Sequence, residues 1–175
     1  MMMKVQMKTK VWLLCLTLLA LLLLAAPAMA EEEFRVIGYY SATSFDEPLE
    51  RVQMDKYTHI MYGFLKPQTD GSILPVPKPE LLQQMVAEAH AHGVKVFAAV
   101  GGFSYENKPL EPTFAAMAAN EESRARFVQA MTDVVTTYDL DGIELDWEYP
   151  KQETEADYEA WLRPCTAEAR NYQRR

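Results

Sequence analysis

Leu140-Asp141-Gly142-Ile143-Glu144-Leu145-Asp146-Trp147-Glu148-Tyr149-Pro150 is the stretch around which the chain is organised. A strand sends alternate side chains to opposite faces. Read with that period, Glu144, Asp146 and Glu148 share one face. Ile143, Leu145 and Trp147 share the other, with Asp141 at the head of the apolar row. Side chains two apart on a strand stand about 6–7 Å from one another. Carboxylates that close repel, most strongly where water is scarce, so at least one of the three is expected to hold its proton to a higher pH than a free carboxyl. A carboxyl that keeps a proton near neutrality can act as a general acid. Taken alone, the alternation is also, and more commonly, that of an amphipathic strand with a solvated acidic face.

The flanking sequence alternates strands with helices. Phe34 to Tyr40 and Tyr57 to Leu65 are β-rich apolar runs and read as two strands. Between them, residues 41–55 are polar and read as a loop with a helical turn. After the second strand, Pro67, Asp70-Gly71, Pro75, Pro77 and Pro79 form dense turn chemistry. Pro79 opens and Gly93 closes a helix over Glu80 to His92, with Leu81, Leu82, Met85, Val86 and Ala89 as its apolar stripe. Val94 to Val100 is nearly continuous in apolar residues, as a strand buried on both faces requires. Asn120, followed by Glu121 and Glu122, caps the next helix, whose core stripe is Phe127, Val128, Met131, Val134, Val135 and Tyr138. A last helix is expected from about Glu153, broken at Arg163-Pro164-Cys165-Thr166. Alternation of this kind predicts an α/β fold with parallel strands joined by helical crossovers.

The acidic stretch resembles the signature of glycoside hydrolase family 18, the chitinases and their relatives, which reads Asp-x-x-Asp-x-Asp-x-Glu on the fourth strand of a (β/α)8 TIM barrel. Asp141, Asp146 and Glu148 match it, Glu144 stands where the family usually has Asp, and Trp-Glu-Tyr-Pro follows as in the common chitinase form. The likeness extends upstream. Tyr62-Gly63-Phe64 is similar to the Tyr-Ala-Phe that ends the family's second strand. Gly101 and Gly102 match the end of its third, Ser-x-Gly-Gly, with Ala99 at the Ser position.

The resemblance implies a glycosidase that hydrolyses β-1,4 bonds of N-acetylglucosamine polymers, chitin or chito-oligosaccharides, by substrate-assisted retaining catalysis. In that scheme Glu148 protonates the glycosidic oxygen and the substrate's own 2-acetamido oxygen closes on the anomeric carbon. Asp146 orients the acetamido group, Glu144 lies deeper and tunes Asp146, and Asp141 is mainly structural. The extra methylene of Glu144 shifts its carboxyl by about a bond length, enough to misplace the shared proton. Tyr149, Gly101, Gly102, Phe103, Phe64 and Tyr40 are the implied sugar-binding residues. Trp147 has outward parity, for which packing against helices is at least as good a reading as sugar stacking. Peptidoglycan and protein-linked glycans are rival substrates. A non-hydrolytic chitin- or glycan-binding protein of the same fold is the alternative function, and an inactive truncated fragment is another. No cofactor is implied.

A (β/α)8 barrel takes about 250 residues. Here 27 residues follow Glu148 in a chain of 175, so only about the first four β/α units are expected. The family's later Met-x-Tyr segment, further acids and sugar-site Trp are missing from them. The expected organisation is a secretory signal peptide over 1–30 and a partial catalytic domain over 31–175, whose tail departs from the family pattern from about 163. A truncated reading frame would explain that tail. Its open sheet edges predict self-association.

Composition bounds the partners. Removing Lys4, Lys8 and Lys10 from the 17 basic residues leaves 14 against 25 acidic ones, a balance of −11 from Glu31 onward. So acidic a chain is a poor match for nucleic acid or anionic membranes, and compatible with a neutral or cationic polysaccharide. The three lysines, the apolar run Val11 to Ala26 and Ala28-Met29-Ala30 read as a signal peptide cleaved before Glu31, hence a secreted protein with no membrane anchor after cleavage. Cleavage removes Cys15 and leaves Cys165 with no intrachain partner, free to pair between chains. His59, His90 and His92 are scattered and suggest surface or capping roles, not a metal site.

Overall fold

The computed structural model describes residues 34–43 and 48–172. Contacts divide the chain into two units, Met1–Phe34 and Arg35–Arg175, and the elements among the described residues lie in the second. The expected signal peptide and Cys15 lie outside the described residues.

Four parallel strands, β1 (Ile37–Ser41), β2 (His59–Leu65), β3 (Lys95–Gly101) and β4 (Gly142–Asp146), form one sheet in the order β1-β2-β3-β4. Among the described residues four α-helices accompany them: α1 (Pro79–Ala91), α2 (Glu111–Ala118), α3 (Glu121–Tyr138) and α4 (Glu155–Tyr172). Parallel strands that neighbour one another in chain order are the arrangement of a (β/α) barrel wall, whereas a doubly wound sheet reverses its order at a switch point. The ladder register sorts the side chains by row. Tyr40, Tyr62, Ala98 and Ile143 are partners in one row, and Ser41, Gly63, Ala99 and Glu144 in the next. The first row packs into the core beneath the helices. The second therefore faces away from them.

The helices bury the stripes their periodicity predicts. Leu82, Met85, Val86 and Ala89 of α1 are buried, as are Phe127, Met131, Val134 and Val135 of α3. Asn120 Oδ1 accepts from the backbone N–H groups of Glu122 (2.8 Å) and Ser123 (3.3 Å), which caps α3. In the polar segment after β1, the helical turn takes the form of two 3-10 turns, Leu49–Arg51 and Met54–Lys56. His92 accords with a capping role, its Nδ1 lying 2.9 Å from the Glu88 carbonyl.

Two expectations are corrected. Helix α2 and a short hairpin, Ser104–Tyr105 against Lys108–Pro109, occupy the segment before Asn120, where no element was expected. An eight-residue helix is marginal by propensity, and this one is held by tertiary burial of Phe114, Met117 and Ala118. Nor does Arg163-Pro164-Cys165-Thr166 break the last helix, because α4 runs through Pro164 to Tyr172. Trp161, fully buried, anchors α4 among Phe127 (5.0 Å), Phe114 (5.7 Å), Trp147 (6.0 Å) and Tyr158 (6.3 Å between ring centroids). A proline inside a helix costs about 3 kcal/mol. Loss of a packed Trp costs about 3–5 kcal/mol, so the cluster outweighs the lost helix bond. Cys165 is partly buried in the same layer, and burial pushes its thiol up to about 11. A thiol held in that form is a weak nucleophile.

Candidate active site

The acid row sits where its parity places it. Glu144 and Asp146 lie on β4, Asp146 as its last residue, and Glu148 follows two residues beyond. All three are half-buried. Leu145 and Trp147 point the other way, and Trp147 is buried with its ring stacked on Phe114 at 5.4 Å. Core packing is thus the role of Trp147. The row stands at the C-terminal ends of parallel strands, where barrel enzymes carry their chemistry.

Burial and mutual repulsion act on the acids. Burial, the charge on Asp146 and the charge on Glu148 raise the Glu144 carboxyl above its ordinary range, while a hydrogen bond from the Tyr39 hydroxyl opposes them. Burial and the Glu148 charge raise Asp146, and the Lys66 ammonium opposes them. Both carboxyls therefore keep their protons to a higher pH than free side chains. One Glu144 oxygen, Oε2, is buried with no hydrogen-bond partner. The Tyr149 hydroxyl donates to Glu148, and that bond together with the Glu148 charge holds the phenol proton more tightly than usual.

The glycines before the row have a steric reason. Gly101 has φ +123°, and a Cβ there would lie 2.2 Å from the Asp146 carbonyl oxygen and 2.7 Å from Phe114 Cζ. The close approach is that of a neighbouring strand. Gly102 has φ +87° and donates its N–H to the same Asp146 carbonyl at 2.9 Å.

The other sequence-predicted residues divide. Phe64 stacks on Tyr39 at 6.1 Å between centroids, beside the acids. Phe103 and Tyr149 are exposed, at 61% and 68%. Asp141 stands apart at the start of β4, where its Oδ2 accepts from the Val96 N–H at 2.8 Å and lies 3.0 Å from His90 Nε2. That ties α1, β3 and β4 together.

Tyr40 is not among the site residues. It stacks on Tyr62 at 5.9 Å on the helix-packed face. Its neighbour Tyr39 is the tyrosine that meets the carboxylates. Period-two reading could not choose between adjacent tyrosines without the ladder register. Lys66 was likewise missed. It follows β2 directly, donates from Nζ to the Gly101 carbonyl at 2.6 Å and lies 5.2 Å from the Phe64 ring centroid. A charge at the end of the apolar run Tyr62-Gly63-Phe64-Leu65 was its signal in the sequence. Among the described residues no group of three or more His, Cys, Asp or Glu side chains is arranged to hold a metal ion.

The sequence profile of "Glycosyl hydrolases family 18" covers residues 35–174. A "chitinase-like effector" of Moniliophthora roreri is 35% identical over 137 residues, 78% of this chain and 32% of that protein. An "Endochitinase" of Manduca sexta is 28% identical over 148 residues, 77% of this chain and 26% of that protein. The crystal structure of a chitinase from Rhizomucor miehei superposes with a TM-score of 0.62 at 29% identity, over 74% of this chain and 42% of that one. The chain therefore spans a third or less of these two relatives' length and about two fifths of the solved chain.

Proposed function

The chain belongs to family 18 of the glycosyl hydrolases, a (β/α) barrel family of whose sheet the described residues form four strands, and on that premise we propose that it is the acid-bearing part of a secreted glycosidase cutting β-1,4 bonds next to N-acetylglucosamine. The observation that carries this reading is the row Glu144, Asp146, Glu148 on one face at the C-terminal strand ends, met by the Tyr39 and Tyr149 hydroxyls. Chitin or a chito-oligosaccharide is the substrate class. The N-terminal lysines, apolar run and Ala28-Met29-Ala30 support export.

In this reading Glu148 gives its proton to the glycosidic oxygen as the bond to the anomeric carbon breaks. The acetamido carbonyl oxygen of the same sugar forms the new bond to that carbon. Asp146 accepts the acetamido N–H, which sharpens the carbonyl oxygen as nucleophile and offsets the positive charge of the oxazolinium ion. Water then opens that ion with retention, returning a proton to Glu148. Gly102, Phe103, Phe64 and Tyr149 offer backbone and ring surface to the sugar, and Gly101 shapes the strand end beneath them.

The test compares the chain with its Glu148→Gln variant on a fluorogenic chito-oligosaccharide. A rate lost by a factor of about 100 or more in the variant is expected for removal of a general acid. Equal rates would remove Glu148 from the role, and no turnover in either would favour an incomplete, inactive domain.

A second reading, a chitin-binding protein of the same fold that does not hydrolyse, draws on Ala99 and Glu144. Both depart from the family pattern, and the Glu144 carboxyl keeps an unpartnered buried oxygen. Retention on chitin beads without release of soluble sugar, unchanged in Glu148→Gln, would select it.

A further inference from the structure

Lys66 follows β2 directly, at the C-terminal ends of the strands, and its backbone and its ammonium are both fixed there. The Leu74 N–H bonds the Lys66 carbonyl at 2.9 Å, and a bridge between Pro67 and Ile73 continues the pairing. At the other end of the side chain, Nζ donates to the Gly101 carbonyl at 2.6 Å. It lies 5.2 Å from the Phe64 ring centroid and 5.9 Å from that of Tyr105. Negative ring faces and a carbonyl suit a cation. An ammonium carries three N–H donors. One goes to Gly101, and among the described residues no other oxygen accepts from it. The residue is only partly buried.

Gly102 opens the space beside that ammonium. A Cβ at Gly102 would stand 3.6 Å from Lys66 Nζ and 3.7 Å from Phe64 Cδ1, and chain neighbours aside, the atoms nearest that point belong to the ammonium and the ring. The segment that follows brings two more rings to the surface, Phe103 at 61% exposure and Tyr105 at 39%. The acid row is adjacent, because the Gly102 N–H bonds the Asp146 carbonyl at 2.9 Å. A cation with unused donors, exposed rings and open backbone thus meet at the edge of the row.

This combination suits a neutral sugar. A pyranose ring presents C–H faces to aromatic rings and hydroxyl or acetamido oxygens to a donor. An anionic ligand would meet Glu144, Asp146 and Glu148 beside it, and a sugar with a free amino group would bring a second cation against the ammonium. We propose that Lys66 is a specificity-determining residue of the sugar site: its ammonium donates to a hydroxyl or acetamido oxygen of the unit lying over Gly102, and its charge turns away a deacetylated unit there. The proposal rests on the N-acetylglucosamine reading and holds equally for a hydrolysing and a non-hydrolysing protein. The competing account gives Lys66 a purely structural role, tying the segment after β2 to the end of β3 through the Gly101 carbonyl.

The test measures binding by calorimetry to the full chain carrying Glu148→Gln, which removes turnover. The probes are chitotetraose and its fully deacetylated counterpart, in mildly acidic buffer where the amino groups are charged. Adding Lys66→Met should weaken chitotetraose binding by about tenfold, the scale of one hydrogen bond from a charged group. It should also narrow the preference over the deacetylated tetramer by at least that factor. A structural role would lower both affinities alike and keep their ratio. A second readout leaves the lysine in place: spectra of the same Glu148→Gln chain labelled with 13C at lysine Cε, with Lys66→Arg to assign the signal. Chitotetraose should shift the Lys66 signal and leave those of Lys56 and Lys95, before β2 and at the start of β3, where they are. If Lys66→Met fails to fold, these spectra decide. An unchanged preference in Lys66→Met, or a Lys66 signal unmoved by chitotetraose that binds, would overturn the proposal and leave the N-acetylglucosamine reading standing. No binding of chitotetraose by the Glu148→Gln chain would overturn that reading, and this proposal with it.

Discussion

Ala99 and Glu144 are partners across the β3–β4 ladder, and the glutamate carries a buried oxygen with no hydrogen-bond donor while its partner offers only a methyl group. Gly63 sits beside Ala99 in the same register row, where a Cβ would stand 3.2 Å from the alanine methyl, so its absence leaves space for one more atom. A serine hydroxyl at 99 is therefore expected to fit and to donate to the Glu144 carboxyl. Ala99→Ser should stabilise the chain by about 1 kcal/mol, the net worth of a hydrogen bond made to a buried oxygen, and lower the Glu144 midpoint. Urea unfolding of both proteins measures the first and carboxyl titration the second. A destabilised variant with an unchanged midpoint would mean the hydroxyl points elsewhere.

The raised carboxyls make stability depend on pH with a definite sign. Glu144 and Asp146 both ionise at higher pH in the folded chain than as free side chains. Between the unfolded value, near 4, and the raised folded one, the native state binds more protons, so stability is fully present at the acid end and falls as pH rises through the window. Glu144→Gln removes one of these two groups. It should flatten that decline, leaving the variant with the higher melting temperature above the window and little difference near pH 4. Melting curves from pH 4 to 8 test this, and parallel curves for both proteins would contradict it.

Gly101 is the position least able to accept a side chain. Its φ of +123° is unfavourable to any L residue, and the Asp146 carbonyl and Phe114 ring occupy the place of a Cβ. Gly101→Ala should cost about 3 kcal/mol or more, strain and overpacking together. It should also disturb the acids through the Gly102 N–H bond to Asp146. Gly93 supplies the control, because it too has positive φ but nothing within 4 Å of where a methyl would stand. Gly93→Ala is expected to cost about 1 kcal/mol, from backbone strain alone. Equal losses at the two sites would show that crowding at Gly101 has no consequence.

Among the described residues, β1 and β4 each pair on one side only. An unpaired edge of a parallel sheet presents backbone donors and acceptors to any strand that reaches it. Exposed Val36, Ile37 and Tyr39 lie at or beside the β1 edge. The chain by itself is predicted to associate, with a weight-average mass that climbs with concentration in sedimentation. A concentration-independent monomer with a sharp, reversible thermal transition would refute this.

Much of the site was legible in the order of residues. The alternation in Ile143-Glu144-Leu145-Asp146-Trp147-Glu148 separates the acids from the core residues. The ends of α1 and α3 follow from Pro79, Gly93 and Asn120, because helix caps are local chemistry. Helix α2 was hidden for the converse reason. Nothing within eight residues stabilises it without Phe114 and Met117 being buried by distant elements. Pro164 misled because its local cost is real, and only the aromatic cluster around Trp161 overrides it.

Sequence alone therefore determined the α/β alternation and the row of acids, since both depend on periods of two and 3.6 along the backbone. Tertiary structure decided that Tyr39 meets Glu144 while Tyr40 packs into the core, and that Lys66 anchors on the Gly101 carbonyl. Those outcomes depend on the register between strands and on which distant side chain fills a given space. Neither is a property of any single stretch of chain.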